Sequence, residues 1–216
     1  MAARYAPAVL RIDHAVYVVR DLDEAAARLH EDLGLASVVG GVHPRWGTGN
    51  RIVPLGSDYV ELMAVVDRDV AMGTDLGRAV LELTRDGDRW MALCLGDDDL
   101  DATAARLDLT VEAGSRTRPD GELVSWRGAG IEDARRTVDL PFFIAWDGPP
   151  ELHPGAASVE HESGARGISW AEIVGDGSRF RAWTGGADLA VRVLDGDPPG
   201  VRAVALETPF GELVMR

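Results

Sequence analysis

The sequence predicts an α+β fold made of tandem β-α-β-β-β units. Three observations carry this prediction: an internal repeat, apolar runs rich in strand-forming residues, and turn residues that divide the rest of each unit. Residues 21–29 (DLDEAAARL) and 99–107 (DLDATAARL) are identical at seven of nine positions, at an offset of 78. The same offset aligns the apolar runs that begin at Ile12 and Trp90.

The first unit, residues 12–66, starts with an apolar strand that leads into a helix. Asp21 is a typical N-cap, Glu24 completes a capping-box pattern, and Gly34 is a typical helix end. Apolar residues at helical spacing form the buried stripe, which comprises Leu22, Ala25, Ala26, Leu29 and Leu33. Turn residues then divide the chain into three expected strands, at 36–40, 51–55 and 58–66.

The second unit, residues 90–147, repeats this organisation. Its helix carries the matching stripe of Leu100, Thr103, Ala104 and Leu107. Its later strands are expected at 110–114, 122–127 and 142–146, with a turn at Pro119–Asp120–Gly121. Between the two units, Thr74 is expected to cap a connecting helix.

A second step of 78 residues reaches Ile168, where a weaker third unit is expected over residues 168–216. Its elements are a strand at 168–171, a helix at 178–183, and strands at 187–193, 201–207 and 212–215. The preceding residues, 151–167, are rich in turn formers and are expected to be a linker. Units one and two together define a predicted domain at 10–150.

Charge and composition exclude several classes of protein. The chain has 22 basic and 36 acidic residues, a net charge of −14, which disfavours non-specific binding to nucleic acids and anionic membranes. All 22 basic residues are Arg, so lysine Schiff-base chemistry is excluded. Cys94 is the single cysteine, which excludes an intramolecular disulfide. No apolar leader or membrane span is recognised, so a cytoplasmic protein is expected.

Several motifs resemble the glyoxalase-like proteins of the vicinal oxygen chelate superfamily. They are IDHAVYVVRDLDEA from Ile12, the loop GGVHPRWGTGN at Gly40–Asn50 ahead of YVELMAV, SRTRPDG, PFFIAW and HPGA. The resemblance covers residues 10–165 and, loosely, the remainder. It implies a curved sheet around a ligand cavity, in which a divalent metal chelates two neighbouring oxygens of a substrate. Members of the superfamily isomerise, epimerise or cleave small molecules, or bind them without metal, so the fold does not select a reaction.

The resemblance also implies metal ligands on the first and fourth strands of each unit, and in unit one these are His14 and Glu61. A carboxylate within the apolar run at 60–66 is costly to bury without a cation or a proton. Unit two offers no equivalent, since Ala92 stands at the His14 place and 142–146 holds no ligating side chain. We therefore expect either an incomplete site for Zn, Mn, Fe or Ni, or a metal-free hydrogen-bonded pair.

Other residues are expected to contact a small organic substrate. His43 is a candidate acid or base. The same loop offers Trp46, Thr48 and Asn50 as substrate contacts. An aromatic wall is expected from Trp126, Phe142, Phe143 and Trp146. Arg116 and Arg118 lie near a turn and could clamp an anionic substrate, but they are interpreted as solvated surface residues. His153 and His161 are interpreted as loop residues.

Two classes of function follow. One is a lyase, isomerase or ring-cleaving enzyme that uses His14, Glu61 and His43. The other is a metal-free protein that binds or sequesters a small molecule. A purely structural module is the least favoured class, because it gives no reason to embed Glu61 in an apolar strand. The odd third unit is expected either to cover an open sheet edge or to pair in a homodimer.

Overall fold

The structure, a computed structural model, describes residues 9–118 and 120–216, which form two β-sheets and six α-helices. The strands of the first sheet are β1 (Leu10–Val18), β2 (Val38–His43), β3 (Thr48–Pro54), β4 (Tyr59–Val65), β5 (Arg89–Asp97), β6 (Val111–Thr117), β7 (Leu123–Ala129) and β8 (Phe142–Asp147). Those of the second are β9 (Ile168–Val174), β10 (Val191–Leu194), β11 (Gly200–Thr208) and β12 (Gly211–Met215). The helices are α1 (Leu22–Leu33), α2 (Arg68–Met72), α3 (Asp75–Leu83), α4 (Leu100–Leu107), α5 (Ile131–Thr137) and α6 (Gly177–Trp183).

The eight-stranded sheet has the order β2-β3-β4-β1-β5-β8-β7-β6, so each predicted unit supplies one half of it. In each half the first strand pairs in parallel with the fourth, β1 with β4 and β5 with β8. The two halves meet where β1 runs antiparallel to β5, although a whole unit separates these strands in sequence. The predicted α+β class with tandem β-α-β-β-β units is confirmed.

The pairing register of β1 and β5 shows the repeat at the level of single residues. His14 pairs with Cys94, and Val16 pairs with Ala92. The offset of 78 relates His14 to Ala92 and Val16 to Cys94. His14 therefore lies opposite the counterpart of Val16, and Val16 lies opposite the counterpart of His14. An approximate twofold axis therefore passes between the halves at Ala15 and Leu93, which pair with each other.

Helices α1 and α4 start at equivalent positions of the repeat, and both are capped by aspartate. The Asp21 side chain accepts hydrogen bonds from the backbone of Asp23 and Glu24 at 2.9 Å. Asp99 accepts one from Ala102 at 3.2 Å. These side chains satisfy amides that the first helical turn leaves unpaired.

The predicted loop at 40–50 is wrong. Strands β2 and β3 form a hairpin over this segment, with its turn at 44–47. The amides of Trp46 and Gly47 donate to the carbonyl of His43 at 3.0 and 3.1 Å. Polar residues and glycines occupy the strand positions nearest the turn, so the apolar alternation by which strands are recognised is missing there.

Gly41 allows the two edge strands of the large sheet, β2 and β6, to approach one another. A Cβ on Gly41 would lie 2.7 Å from the carbonyl oxygen of Thr117 on β6. Arg116 on β6 spans this seam and donates a hydrogen bond to the Gly40 carbonyl. The curved sheet is thus almost closed into a barrel.

Helices α3 and α5 cover the concave side of the curved sheet. The connecting helix α3 was predicted, and Thr74 caps it by accepting from the Gly77 amide at 3.1 Å. Helix α5 was not predicted, because its sequence IEDARRT has no apolar stripe. Helix α2 is a single short turn that the sequence did not indicate either.

The third unit has the predicted order of elements but a different strand order, β10-β9-β11-β12. Its first strand pairs in parallel with its second strand and antiparallel with its third. The small sheet packs on the outer face of the large one. Buried side chains of β5 and β11 lie in one hydrophobic cluster, which includes Leu93, Leu95, Val204 and Leu206.

The predicted linker, residues 151–167, is packed against unit one. His161 Nε2 donates to the Pro54 carbonyl at 2.7 Å, while its Nδ1 accepts from the Ala36 amide at 3.0 Å. The Gly56 amide donates to the Gly155 carbonyl at 2.9 Å. The division into a domain at 10–150, a linker and a third unit stays a prediction.

None of the helices in the described part of the chain has the length and apolar character needed to cross a membrane.

Candidate functional site

A cavity of about 310 Å³ lies between the concave face of the large sheet and helices α3 and α5. This volume is at the lower end of the range for small-molecule sites. One group of polar side chains in its lining comes from unit one and from β6. They are His14, His43, Asn50, Tyr59, Glu61 and Arg116.

His14 is held against Asp13 by a local irregularity in β1. The residues Ile12 and His14 pair with Leu95 and Cys94, which leaves Asp13 as an extra, unpaired residue of a β-bulge. Neighbouring residues of a regular strand point to opposite faces of the sheet. The bulge breaks this alternation, so His14 Nδ1 lies 2.7 Å from Asp13 Oδ1.

Asp13 is buried and receives two further hydrogen bonds from outside unit one. Trp146 Nε1 donates to its Oδ2 at 3.0 Å, and His153 Nε2 lies 3.2 Å from the same oxygen. His153 Nδ1 accepts from the Gly155 amide, so its Nε2 carries the proton and donates it to Asp13. Burial alone would raise the pKa of Asp13, but the hydrogen bonds from His14 and His153 outweigh it and hold the pKa well below its ordinary value.

Glu61 lies beside His14, on the neighbouring strand β4. Asn50 Nδ2 donates to Glu61 Oε1 at 2.6 Å, and the distance between His14 Nε2 and Glu61 Oε2 is 3.8 Å. Asp13 engages Nδ1 of His14, which leaves Nε2 as the ring nitrogen that faces Glu61. This spacing is longer than a direct hydrogen bond, so both atoms remain available to a ligand in the cavity.

His43 lies in the same cavity, with its Nδ1 3.1 Å from Thr48 Oγ1 and its ring against Trp46. Burial lowers the pKa of His43, and the Arg116 charge lowers it further, while Glu61 opposes them. His43 is therefore a neutral imidazole at physiological pH. Thr48 contacts His43 and does not itself line the cavity.

Tyr59 and Arg116 complete the polar end. The Tyr59 ring stacks on His14 with 4.5 Å between centroids, and burial raises the pKa of its hydroxyl. The interpretation of Arg116 as a surface residue is wrong, since only 6% of it is exposed. Burial lowers the pKa of Arg116, although the guanidinium stays charged at any physiological pH. Arg118 is more exposed and pairs with Asp120 at 3.1 Å.

The other half of the cavity is apolar. Its walls include Ala92, Trp126, Phe142, Ile144 and Trp146, with side chains of α3 and α5 above them. Phe143, which the sequence singled out, lies on the opposite face of β8 and stacks on Trp183. Of the predicted site residues, the structure brings together His14, His43, Trp46, Asn50, Glu61 and Trp126, whereas Thr48 and Phe143 lie outside the lining.

The residues present do not complete a divalent metal site of the kind that the superfamily commonly holds. In unit one, Val16 of β1 pairs with Glu61 of β4. The repeat counterpart of Val16 is Cys94 of β5, which pairs with Phe142 of β8. The counterparts of His14 and Glu61 are therefore Ala92 and Phe142, neither of which can ligate. The side chains of Asp13, His14 and Cys94 have donor atoms within 4.8 Å of one another.

That buried trio is also poorly suited to a metal. Asp13 already accepts three hydrogen bonds, and burial raises the pKa of the Cys94 thiol, which therefore keeps its proton. Sulfur binds metals as the thiolate, so retention of this proton disfavours ligation.

Sequence reasoning missed Asp13, and it interpreted His153 as a loop residue. A signal for Asp13 was present, because it is a second carboxylate within an apolar strand, as Glu61 is. No local signal marks His153, since its partner is far away in the sequence.

Comparison with known proteins agrees with this architecture. A sequence family described as "Glyoxalase-like domain" matches residues 12–185. A hypothetical protein from Staphylococcus aureus superposes with a TM-score of 0.72 at 17% identity, covering 91% of this chain and 90% of that one. A methylmalonyl-CoA epimerase from Mycobacterium tuberculosis gives a TM-score of 0.47 at 20% identity, covering 69% and 96%. No curated protein matches the chain.

The likeness to the Staphylococcus aureus protein shows the fold alone, because the identity is low, and nothing is argued from the epimerase superposition. The family match carries more, because it spans most of the chain, including both units of the large sheet and part of the third unit. With its paired β-α-β-β-β halves around a cavity, the chain belongs to the glyoxalase-like domain family of the vicinal oxygen chelate superfamily.

Proposed function

We propose that this protein is an enzyme of the isomerase or lyase type that moves a proton on a small organic substrate inside the cavity. One observation carries the proposal. His14 is oriented by the buried Asp13, and its free nitrogen faces Glu61 within an enclosed, largely apolar space. A histidine oriented by a carboxylate is a common general base.

The proposed chemistry uses only side chains of the chain itself. His14 Nε2 removes a proton from the substrate, and Asp13 stabilises the imidazolium that forms. Glu61, held by Asn50 beside His14, is the second group able to give or take a proton. Acid–base catalysis of this kind contributes about 10²–10⁴-fold to a reaction rate.

A metal-free binding protein is the second candidate. The observation that favours it is the apolar and aromatic lining, in which Trp46, Trp126 and Trp146 can stack on a planar ligand. Such a protein would bind the same compounds without changing them.

Deuterium exchange separates the two candidates. A panel of small carbonyl compounds is incubated with the protein in D₂O, and the loss of exchangeable C–H signals is followed by NMR. An enzyme is expected to incorporate deuterium into at least one compound, and His14→Gln to lower the rate about 100-fold or more. Asp13→Asn is expected to lower kcat with little change in KM, because Asp13 orients His14 without contacting substrate.

The matched control is His30→Gln, because His30 lies on the exposed face of α1 and remote from the cavity lining. If compounds stabilise the protein against heat but none exchanges, the binding protein is the correct function. Exchange that survives His14→Gln unchanged would place the base elsewhere.

Metal content is a separate question that elemental analysis answers. Protein purified without chelators is assayed for Zn, Mn, Fe and Ni, together with His14→Ala and Glu61→Ala. If these two residues ligate a metal, the wild type carries it and either substitution removes it. Because only unit one supplies ligating side chains, any such metal is expected to be weakly bound.

A further inference from the structure

The twofold relation between the units divides the cavity into two chemically different halves. Unit one contributes His14 and Glu61, whereas the equivalent positions of unit two hold Ala92 and Phe142. The first and fourth strands of each unit pair in the same parallel way, so at these positions the two halves differ in their side chains. A ligand that fills the cavity therefore needs a polar end and a hydrocarbon end.

Arg116 is the cation at the polar end. It is buried, and among the described residues no carboxylate oxygen lies within 4.0 Å of its nitrogens. Its one described hydrogen bond, to the Gly40 carbonyl, uses a single one of its five N–H donors. A buried cation without an ion-pair partner is costly, and a ligand oxygen would offset that cost.

A second guanidinium reaches the cavity from α5, but it is already paired. Arg135 contacts Asp75 at 3.4 Å and also Glu132. Asn50 Oδ1, near the polar end, is buried and has no hydrogen-bond partner among the described residues. Arg135 Nη1 is likewise buried without a hydrogen-bond partner among the described residues, but the Arg135 guanidinium already has two carboxylate partners. Among the described residues that line this cavity, Arg116 is therefore the guanidinium without a carboxylate partner.

We infer that the substrate is a small carbonyl compound whose oxygen lies against Arg116 and whose hydrocarbon group lies on Ala92 and Phe142. The inference rests on the proposed function and names the substrate class of the same site. It also assigns Arg116 as a catalytic residue, because Arg116 contacts the oxygen on which negative charge develops.

The step balances without another reactant. The C–H bond next to the carbonyl breaks, and the proton goes to His14 Nε2. The electron pair of that bond forms a C=C bond, and the carbonyl π pair moves onto the oxygen beside Arg116. Return of the proton to carbon restores the carbonyl group. A positive charge placed where negative charge develops stabilises the transition state more than the neutral substrate.

Binding of stable mimics tests the inference without turnover. Phenylacetate carries an anionic oxygen and a hydrocarbon ring, phenylacetamide is its neutral analogue, and acetate lacks the ring. Titration calorimetry is expected to show phenylacetate binding about tenfold more tightly than either of the others. The nearby Glu61 charge opposes an anion, which is why the expected preference is no larger.

Variants of both halves sharpen the test. Arg116→Gln is expected to reduce the preference for phenylacetate over phenylacetamide to about one, and Arg116→Lys to keep most of it. Each preference is the ratio of the two ligand affinities measured in the same variant. A general loosening of the contact between β2 and β6 would weaken both ligands and would leave this ratio unchanged. Ala92→Leu, which fills the apolar half, is expected to weaken phenylacetate about tenfold and to leave acetate unchanged.

Arg118→Gln is the matched control and is expected to keep the wild-type preference, since Arg118 lies outside this cavity. Equal binding of phenylacetate and phenylacetamide by the wild type, or a preference that survives Arg116→Gln, would overturn the inference. If the preferences hold while no compound exchanges deuterium, the ligand class stands and the proposed enzyme activity is wrong.

Discussion

Asp13 shows how one extra residue in a strand creates a pair that a regular strand cannot form. The bulge brings two neighbouring side chains into contact, and Trp146 and His153 then fix the carboxylate from distant parts of the chain. His14 is therefore oriented by three segments at once. Such an arrangement keeps the imidazole in one tautomer, as a general base requires.

Asp58 is another buried carboxylate, and it joins unit one to the third unit by accepting a hydrogen bond from the Ile168 amide at 3.0 Å. Burial raises the pKa of Asp58 to about 6 from an ordinary 3.8, and the hydrogen bonds from Ile168 and Ser57 only partly oppose this. The folded protein thus binds this proton more tightly than the unfolded chain. The contribution of Asp58 to stability is present below about pH 4 and is lost as the pH rises through about 6.

The substitution Asp58→Asn removes this pH dependence while keeping an oxygen for the Ile168 amide. Relative to the wild type, its free energy of unfolding is expected to rise by roughly 2–3 kcal/mol between about pH 4 and about pH 8. Urea denaturation at the two pH values measures the difference. Asp86→Asn is the control, because Asp86 is exposed in a turn. A difference that does not change with pH would contradict the assignment.

Gly40 is required by close packing between β2 and β3. The Cβ of Gly40→Ala would lie 2.1 Å from Asn50 Oδ1, so Asn50 would have to move away from Glu61. We expect a loss of about 1–3 kcal/mol in the free energy of unfolding, measured by denaturation. In the control Gly177→Ala, the new Cβ meets only Val193, at 4.0 Å, and stability is expected to stay the same or to rise. An equal effect of both substitutions would argue against the steric explanation.

At the scale of elements, the short helix α3 depends on its cap. Thr74 Oγ1 accepts from the Gly77 amide at 3.1 Å, and α3 has only nine residues. Thr74→Ala is expected to cost about 1 kcal/mol of stability and to loosen the cover of the cavity. Thermal unfolding and the affinity for phenylacetate are both measured, with Thr110→Ala at an exposed position before β6 as the control. Unchanged stability and affinity would show that packing alone holds α3.

The whole molecule is expected to unfold as one unit. The hydrophobic cluster shared by the two sheets contains Leu93 and Leu95 of β5 together with Val204 and Leu206 of β11. Since neither sheet can lose this contact without exposing the core of the other, circular dichroism and tryptophan fluorescence should report the same single transition in urea. Leu206→Ala is expected to shift that whole transition by about 2–5 kcal/mol.

Two separate transitions would contradict this expectation and would support the predicted division into a domain at 10–150 and an independent third unit.

Light scattering at low concentration tests the predicted homodimer. The third unit covers the outer face of the large sheet and extends neither of its edge strands, β2 and β6. The homodimer therefore stays a prediction, and a strict monomer would exclude it.

Much of the fold is encoded locally, and the sequence predicted it for that reason. The offset of 78, the caps at Asp21 and Thr74 and the apolar stripes all act over a few residues, so they identify repeats and helices directly. Glu61 was recognised as a candidate because a buried carboxylate conflicts with its apolar neighbours. The hairpin of β2 and β3 escaped prediction, since near its turn polar residues and glycines replace the apolar alternation.

Only the tertiary structure decided how the candidate site is assembled. The contact of Asp13 with His14 depends on a bulge, which is defined by pairing with a strand from the other unit. Arg116 is buried because the sheet curves until its two edges meet, and His153 reaches Asp13 because residues 151–167 fold back on unit one. Each of these contacts joins residues far apart in sequence, and no pattern within one segment records which distant segment will pack against it.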